Sequence, residues 1–154
     1  MAGSVKVNGL GSVINNMKMM IETNRMKCIK GVNLAGAILE TNMKKHASLT
    51  DHSLKDLADM DHPYSTRKSK DSGPHPDYEV HSQSGELKDN ILKNGYATNT
   101  MAGVEVGVLE SDVPHIKYLI EGTVKMRPRD FISHAAVEST DGIGIALTTA
   151  ILGK

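Results

Sequence analysis

From Leu10 to about His46 the apolar positions recur at helical spacing. Leu10, Val13, Ile14, Met17, Ile21, Cys28, Val32, Ala35, Leu39 and Met43 fall on one stripe, interrupted at Asn24. Lys18, Arg25, Lys30, Glu40 and Lys44 lie mostly off that stripe, and Glu40 with Lys44 makes a favourable i,i+4 pair. Gly31 and Gly36 each cost about 1 kcal/mol inside a helix relative to Ala. They predict either a bend or a close crossing by another element. A helix of this length, roughly 50 Å at 1.5 Å per residue, exceeds what a small domain can cover. Part of its stripe is therefore expected to face another subunit.

A second stripe closes the chain. Ile132, Ala135, Ala136, Ser139, Ile143, Ala146, Leu147 and Ala150 predict a helix from about Asp130 to Leu152 with small side chains on its packing face. Between the two helices the period changes. Val104, Val106 and Val108 alternate with Glu105 and Gly107, the sign of a half-buried strand. Ile91–Thr98 and Gly103–Leu109 pair as a hairpin around a short loop at 99–102, with Ser84 capping a brief turn before them. Thr50 can cap a short helix whose buried side is Leu54, Leu57 and Ala58, ended by His62-Pro63. The fold class that follows is α+β: a long N-terminal helix and a C-terminal helix packed on a small antiparallel sheet, in a single domain over 1–154. Residues 61–83 carry three of the five prolines and almost no aliphatic side chains. They are expected to form a polar arm or loop that orders on a partner.

The segment from Val113 to Ala136 holds several structural instructions in little space. Pro114 suits the first position of a helix, where its missing N–H costs nothing. Ile116, Leu119 and Ile120 form a short apolar face, and Gly122 permits the backbone conformation that ends it. Thr123–Met126 is a candidate third strand. Asp130 can cap the last helix, with Phe131 in its first turn. This corner contains no evident nucleophile, base or metal cluster.

Composition sharpens the picture. Aromatics make up 3% of the chain, Trp is absent, and Met occurs nine times, so the core must form without its usual largest contributors. Lys plus Arg and Asp plus Glu balance at 18 each, without the basic excess of a free-standing nucleic-acid binder. The charge is uneven, with seven basic against two acidic residues in 1–50 and five against nine in 51–90. Head-to-tail contact between these regions of neighbouring copies would suit a closed ring. Lys27, Lys30, Lys44 and Lys45 could instead track phosphates, or simply form a solvated face. The single cysteine, Cys28, excludes an intrachain disulfide and is expected to be buried and inert. No secretory leader pattern is seen, and Gly142–Gly153 is too short an uncharged run to span a bilayer, so a soluble protein of a reducing cytoplasm is expected.

The seven histidines, His46, His52, His62, His75, His81, His115 and His134, show no zinc-ligand spacing and are expected to be scattered and solvated. Gly142-Ile143-Gly144 lacks the third glycine of a dinucleotide fingerprint. With no catalytic constellation, no metal and no cofactor indicated, the expectation is a protein that is not an enzyme.

Three segments in order then acquire meaning together: Ser84-Gly85-Glu86-Leu87-Lys88-Asp89-Asn90-Ile91, Tyr118-Leu119-Ile120-Glu121-Gly122-Thr123, and Pro128-Arg129-Asp130-Phe131. This set resembles the head–tail joining proteins (neck or tail-completion proteins) of long-tailed bacteriophages, similar to the minor tail protein Z type. Asp130 stands where that family usually has proline, and Ile120-Glu121 where it often has Glu followed by an aromatic. The resemblance implies a virion subunit that forms a homo-oligomeric ring, hexameric or alternatively dodecameric, at the head–tail junction. It would assemble in the host cytoplasm and contact neighbouring neck, portal-adaptor or tail-terminator proteins. Double-stranded DNA would pass through the channel only as cargo, and no membrane would be involved. Expected interface residues are Tyr118, Gly122 and Thr123 at the corner, Arg127, Arg129 and Phe131 at the start of the last helix, and Asp71, His75, Asp77 and Tyr78 in the arm. For Arg127 and Arg129 the alternative is surface charge, and for Tyr118 and Phe131 it is a place in the core. Competing readings are a nucleic-acid-binding module using the basic first helix and, more distantly, a small hydrolase using His and Asp.

Overall fold

A computed structural model describes residues 10–48, 59, 80, 85–124 and 128–153. Helix α1 spans Leu10–His46, and a short helical turn, α2, spans Glu86–Asp89. Strands β1, Leu92–Ala97, and β2, Ala102–Gly107, are followed by α3, Ile116–Glu121, and α4, Phe131–Leu152. The architecture is the expected α+β one, with two long helices and a two-stranded antiparallel sheet. The predicted short helix near Thr50 lies outside the described residues except for Asp59, which is helical and exposed. The 61–83 arm also lies outside them except for Val80, which is buried and donates its N–H to His46 O at 2.9 Å.

The core gathers at one end of the long helices. Met43, Ala47, Val80, Leu87, Ile91, Val113, Ile116, Leu119, Phe131 and Ala135 form one cluster, edged by Leu39, Val106, Val108, Ile120 and Ile132. Phe131, the only phenylalanine, is completely buried, as are Met43, Ile91 and Val113. Asp130 accepts from Ser133 N–H at 3.0 Å and so caps α4 one residue before that anchor.

Gly31 and Gly36 of α1 each mark a close crossing. A Cβ on Gly31 would stand 3.1 Å from Ala150 Cβ of α4, and one on Gly36 would stand 2.5 Å from Val104 Cγ2 of β2. Thus α4 and the hairpin both approach the α1 backbone where a side chain is missing. Asn42 Nδ2 donates to Ser139 Oγ at 2.8 Å, and Gly142 of α4 faces Ile38. These pairs run in opposite directions along the two helices, so α1 and α4 are antiparallel. Level with Gly31, α4 is nearly finished. The preceding part of α1, roughly 27 Å at 1.5 Å per residue, projects beyond it.

The hairpin has the expected strands, paired Leu92↔Gly107 through Ala97↔Ala102. Its loop is pinned by Thr98, whose N–H donates to Met101 O at 2.7 Å and whose Oγ1 accepts from Met101 N–H at 3.0 Å. The Tyr96 ring lies over Gly103 on the opposite strand, space that any Cβ there would occupy.

Several boundaries differ from expectation. The helix after Pro114 begins two residues later, at Ile116, because a turn closed by Ile116 N–H to Val113 O at 3.0 Å comes first. Of the proposed third strand, Thr123 makes only an isolated bridge and Val124 is in a turn, while 125–127 lie outside the described residues. Ser84 also lies outside them, and the cap position of α2 is held by Gly85 at φ 78° with no side-chain capping bond. Ala136 of the predicted α4 packing stripe is exposed.

Helix α4 as a whole is long and apolar enough to cross a membrane by length and composition, with a mean hydropathy of 1.2. The uncharged run after Gly142 understated it, because the first half adds apolar residues and only two acidic ones. Asp141 at its middle would cost about 2.5–3.5 kcal/mol in hydrocarbon, and Glu138 would add to that. In the fold this helix lies along α1 and is tied to it by polar bonds.

The crossings can be tested by paired substitutions read by thermal unfolding. Gly36→Ala should destabilise by about 1–3 kcal/mol, because the overpacking against Val104 outweighs the helix-propensity gain. Gly144→Ala, with nothing within 4 Å of its added Cβ, should stabilise by up to about 1 kcal/mol. Equal effects at the two positions would contradict the close approach of β2.

Candidate functional site

The corner between α3 and α4 is built from the predicted residues but divides them into two groups. Gly122 ends α3 with φ 75° and ψ −179°, a combination essentially confined to glycine, and its N–H donates to Tyr118 O at 3.0 Å. The chain then returns so that Arg129 N–H donates to Leu119 O at 2.6 Å. That return carries Arg129 and Phe131 inward, to 6% and 0% exposure, so neither presents its side chain to a partner. Their place is architectural, and Arg129 is not the surface charge weighed for it. Tyr118 at 58% exposure and Thr123 face outward, so Tyr118 is not a core residue. Asp71, His75, Asp77, Tyr78 and Arg127 lie outside the described residues.

A polar knot that sequence spacing did not reveal joins the two long helices beside the core. Lys45 Nζ donates to Glu138 Oε1 at 2.7 Å, and His46 Nε2 lies 2.5 Å from Glu138 Oε2. The His46 and His134 rings meet edge to face, with centroids 5.1 Å apart. Ser139 Oγ accepts from Asn42 and donates to Ala135 O at 2.6 Å. The expectation of solvated histidines therefore fails at His46, which is 4% exposed. Asn42–Ser139, Lys45–Glu138 and His46–Glu138 are each more than ninety residues apart in sequence, so only the helix crossing brings them together. Asn42, a polar residue beside the apolar stripe of α1, was the one available signal.

The knot holds structure together and offers little for chemistry. Among the described residues no three His, Cys, Asp or Glu side chains are grouped to hold a metal ion. A cavity of about 130 Å³ lies between α1 and the hairpin, lined by Ile29, Val32, Asn33, Tyr96 and Ala102 among others. That is below the roughly 300 Å³ at which small-molecule sites begin.

The surface most in need of explanation is apolar. Val13, Ile14, Met17, Met19, Met20, Ile21 and Met26 of the projecting half of α1 are each more than 40% exposed. Cys28 is exposed as well, contrary to its expected burial, because α4 ends before reaching that level of the helix. On α4, Val137, Ile145 and Leu152 face away from α1 and are each more than 60% exposed. Arg25 reaches the hairpin tip, its Nε donating to Thr98 O at 3.4 Å, while Lys27 and Lys30 are on the surface. Lys44 and Lys45, by contrast, are engaged by Glu40 and Glu138 at 2.7 Å each.

The Glu138 carboxyl is held down from its usual 4.5 to about 2, first by the hydrogen bond from Lys45 and then by His46. A lowered acid pKa stabilises the fold above the unfolded value, and that contribution is lost as pH falls from 4.5 towards 2. Glu138→Gln should therefore lower Tm near neutral pH and flatten the decline in Tm across that window. An unchanged acid profile would mean that the knot contributes nothing to stability. No protein-family model, curated protein or solved structure matches the chain, so its function is read from these surfaces.

Proposed function

We propose that this chain is a structural subunit that assembles into a ring at the head–tail junction of a tailed bacteriophage. In that role it joins the capsid portal or connector to the tail tube and leaves a channel for DNA. The observation that carries the reading is the apolar half of α1, where seven large apolar side chains are each more than 40% exposed and covered by no other described residue. The one-ended core, the scarcity of aromatics and the structural character of the corner support the same reading. Among the expected interface residues of the resembling motifs that are described, Tyr118 and Thr123 are the exposed ones. A nucleic-acid-binding reading of α1 is weaker, because two of its four candidate lysines are already paired with carboxylates.

Light scattering and negative-stain images of the purified full chain, alone and mixed with tails lacking it, test the proposal. Annular particles that dock at the head-proximal end of the tail are expected. A monomer at every attainable concentration, inert towards tails, would overturn it. Tight binding of short duplex DNA at physiological salt would favour the nucleic-acid reading instead.

A further inference from the structure

The seam by which α1 holds α4 does not stop where α4 stops. Inside the fold it runs through Gly31, Ala35, Ile38 and Asn42, which meet or lie beneath Ala150, Leu147, Gly142 and Ser139. Continued towards the N-terminus at the same alternating spacing of four and three, it passes through Cys28, Asn24, Ile21, Met17 and Ile14. Met17 and Ile21 are 60% and 68% exposed, and Cys28 is exposed too. The same helix face is thus covered by α4 in one half and by nothing described in the other.

A second seam lies on the opposite side of α4. Val137, Asp141, Gly144, Thr148 and Leu152 step by four, three, four and four, and Asp141, Gly144, Ile145 and Thr148 line a shallow groove. The α1 seam from Ile14 to Cys28 and the α4 seam from Val137 to Leu152 are each about 21–23 Å long at 1.5 Å per residue. Charge selects between the two ways copies could meet. Lys18 and Lys27 flank the α1 seam, with Arg25 already paired to Glu22, so pairing α1 with another α1 would set lysines against lysines. Helix α4 contains no Lys or Arg; Asp141 supplies the negative charge on its outer seam, while Glu138 is engaged within the fold by Lys45 and His46.

We infer that the projecting half of α1 seats on the outer face of α4 of the next copy, so that each subunit gives one helix and receives another. This rests on the reading of the chain as a homo-oligomer and identifies the surfaces it would use. A contact between two different patches is heterologous and, when its rotation closes, generates a ring.

Cys28 provides the test, because it is the only thiol and lies on the seam. Because the seams are of equal length, Cys28 at the end of one lies beside Val137 or Leu152 at an end of the other, so of the full chains carrying Val137→Cys or Leu152→Cys, mildly oxidised, one should give a non-reducing ladder of linked subunits. The wild-type chain should give no linked dimer. A Cys28–Cys28 dimer of the wild type, or assembly of both variants without a ladder from either, would overturn the seam while leaving a homo-oligomer in place. Ile21→Asp, at an exposed position, should keep the wild-type circular dichroism and weaken self-association at least tenfold. Assembly unaffected by Ile21→Asp would also overturn the seam. A wild-type chain that never associates would overturn both the seam and the oligomer, as would one that instead pellets with zwitterionic vesicles or covers the seam with its own residues 49–79.

Discussion

The packing of Phe131 under the C-terminal end of α1 is the contact on which the rest of the structure depends. Among the described residues Phe131 is the one large aromatic in the core, and Asp130 fixes the start of α4 immediately before it. The Gly122 turn brings the chain back against Leu119 and delivers Arg129 to the interior on the way. From this anchor α4 runs antiparallel to α1 until the small residues at its far end meet Gly31. A side chain twice the size of Ala at position 150 would push the helices apart there. Small residues on one helix and glycine on the other are therefore one constraint written in two places.

Much of this was legible in the chain. Both long helices, the hairpin and the cap on α4 follow from apolar period, β-branched alternation and capping chemistry, which are local properties. Gly31 and Gly36 were informative because glycine inside a long helix carries a cost that only a close neighbour justifies. What escaped was non-local. The knot of Lys45, His46, His134 and Glu138 depends on two helices crossing at a particular level, and no spacing within either helix announces it. Cys28 is exposed for a related reason. Its position on the stripe was correct, but a stripe does not say how far its partner helix extends. Tyr118 and Phe131 carry similar chemistry and separate only because one lies on the outer side of α3 and the other beneath it.

The distribution of polar bonds also separates the two halves of the molecule. Near the core, Asn42, Lys45 and His46 all find partners on α4, so the crossing angle and axial register are fixed by directional contacts as well as by volume. Hydrogen bonds of this kind contribute modestly to stability but penalise misplacement, because a slipped helix would leave buried polar atoms unsatisfied. The far half of α1 carries a hydrogen bond to the hairpin tip and its own Arg25–Glu22 pair. Specificity within the chain is therefore concentrated at the core end.

This one-ended anchoring has a kinetic side. An isolated helix of about eighteen residues is marginal in water, because its first turn is entropically costly to form. In α1 that nucleus already exists in the half clamped by α4 and the hairpin, and each preceding residue has only to propagate it. The projecting segment can thus stay rod-like before anything touches it. A small rotation of the clamped end would then move its tip through a much larger arc.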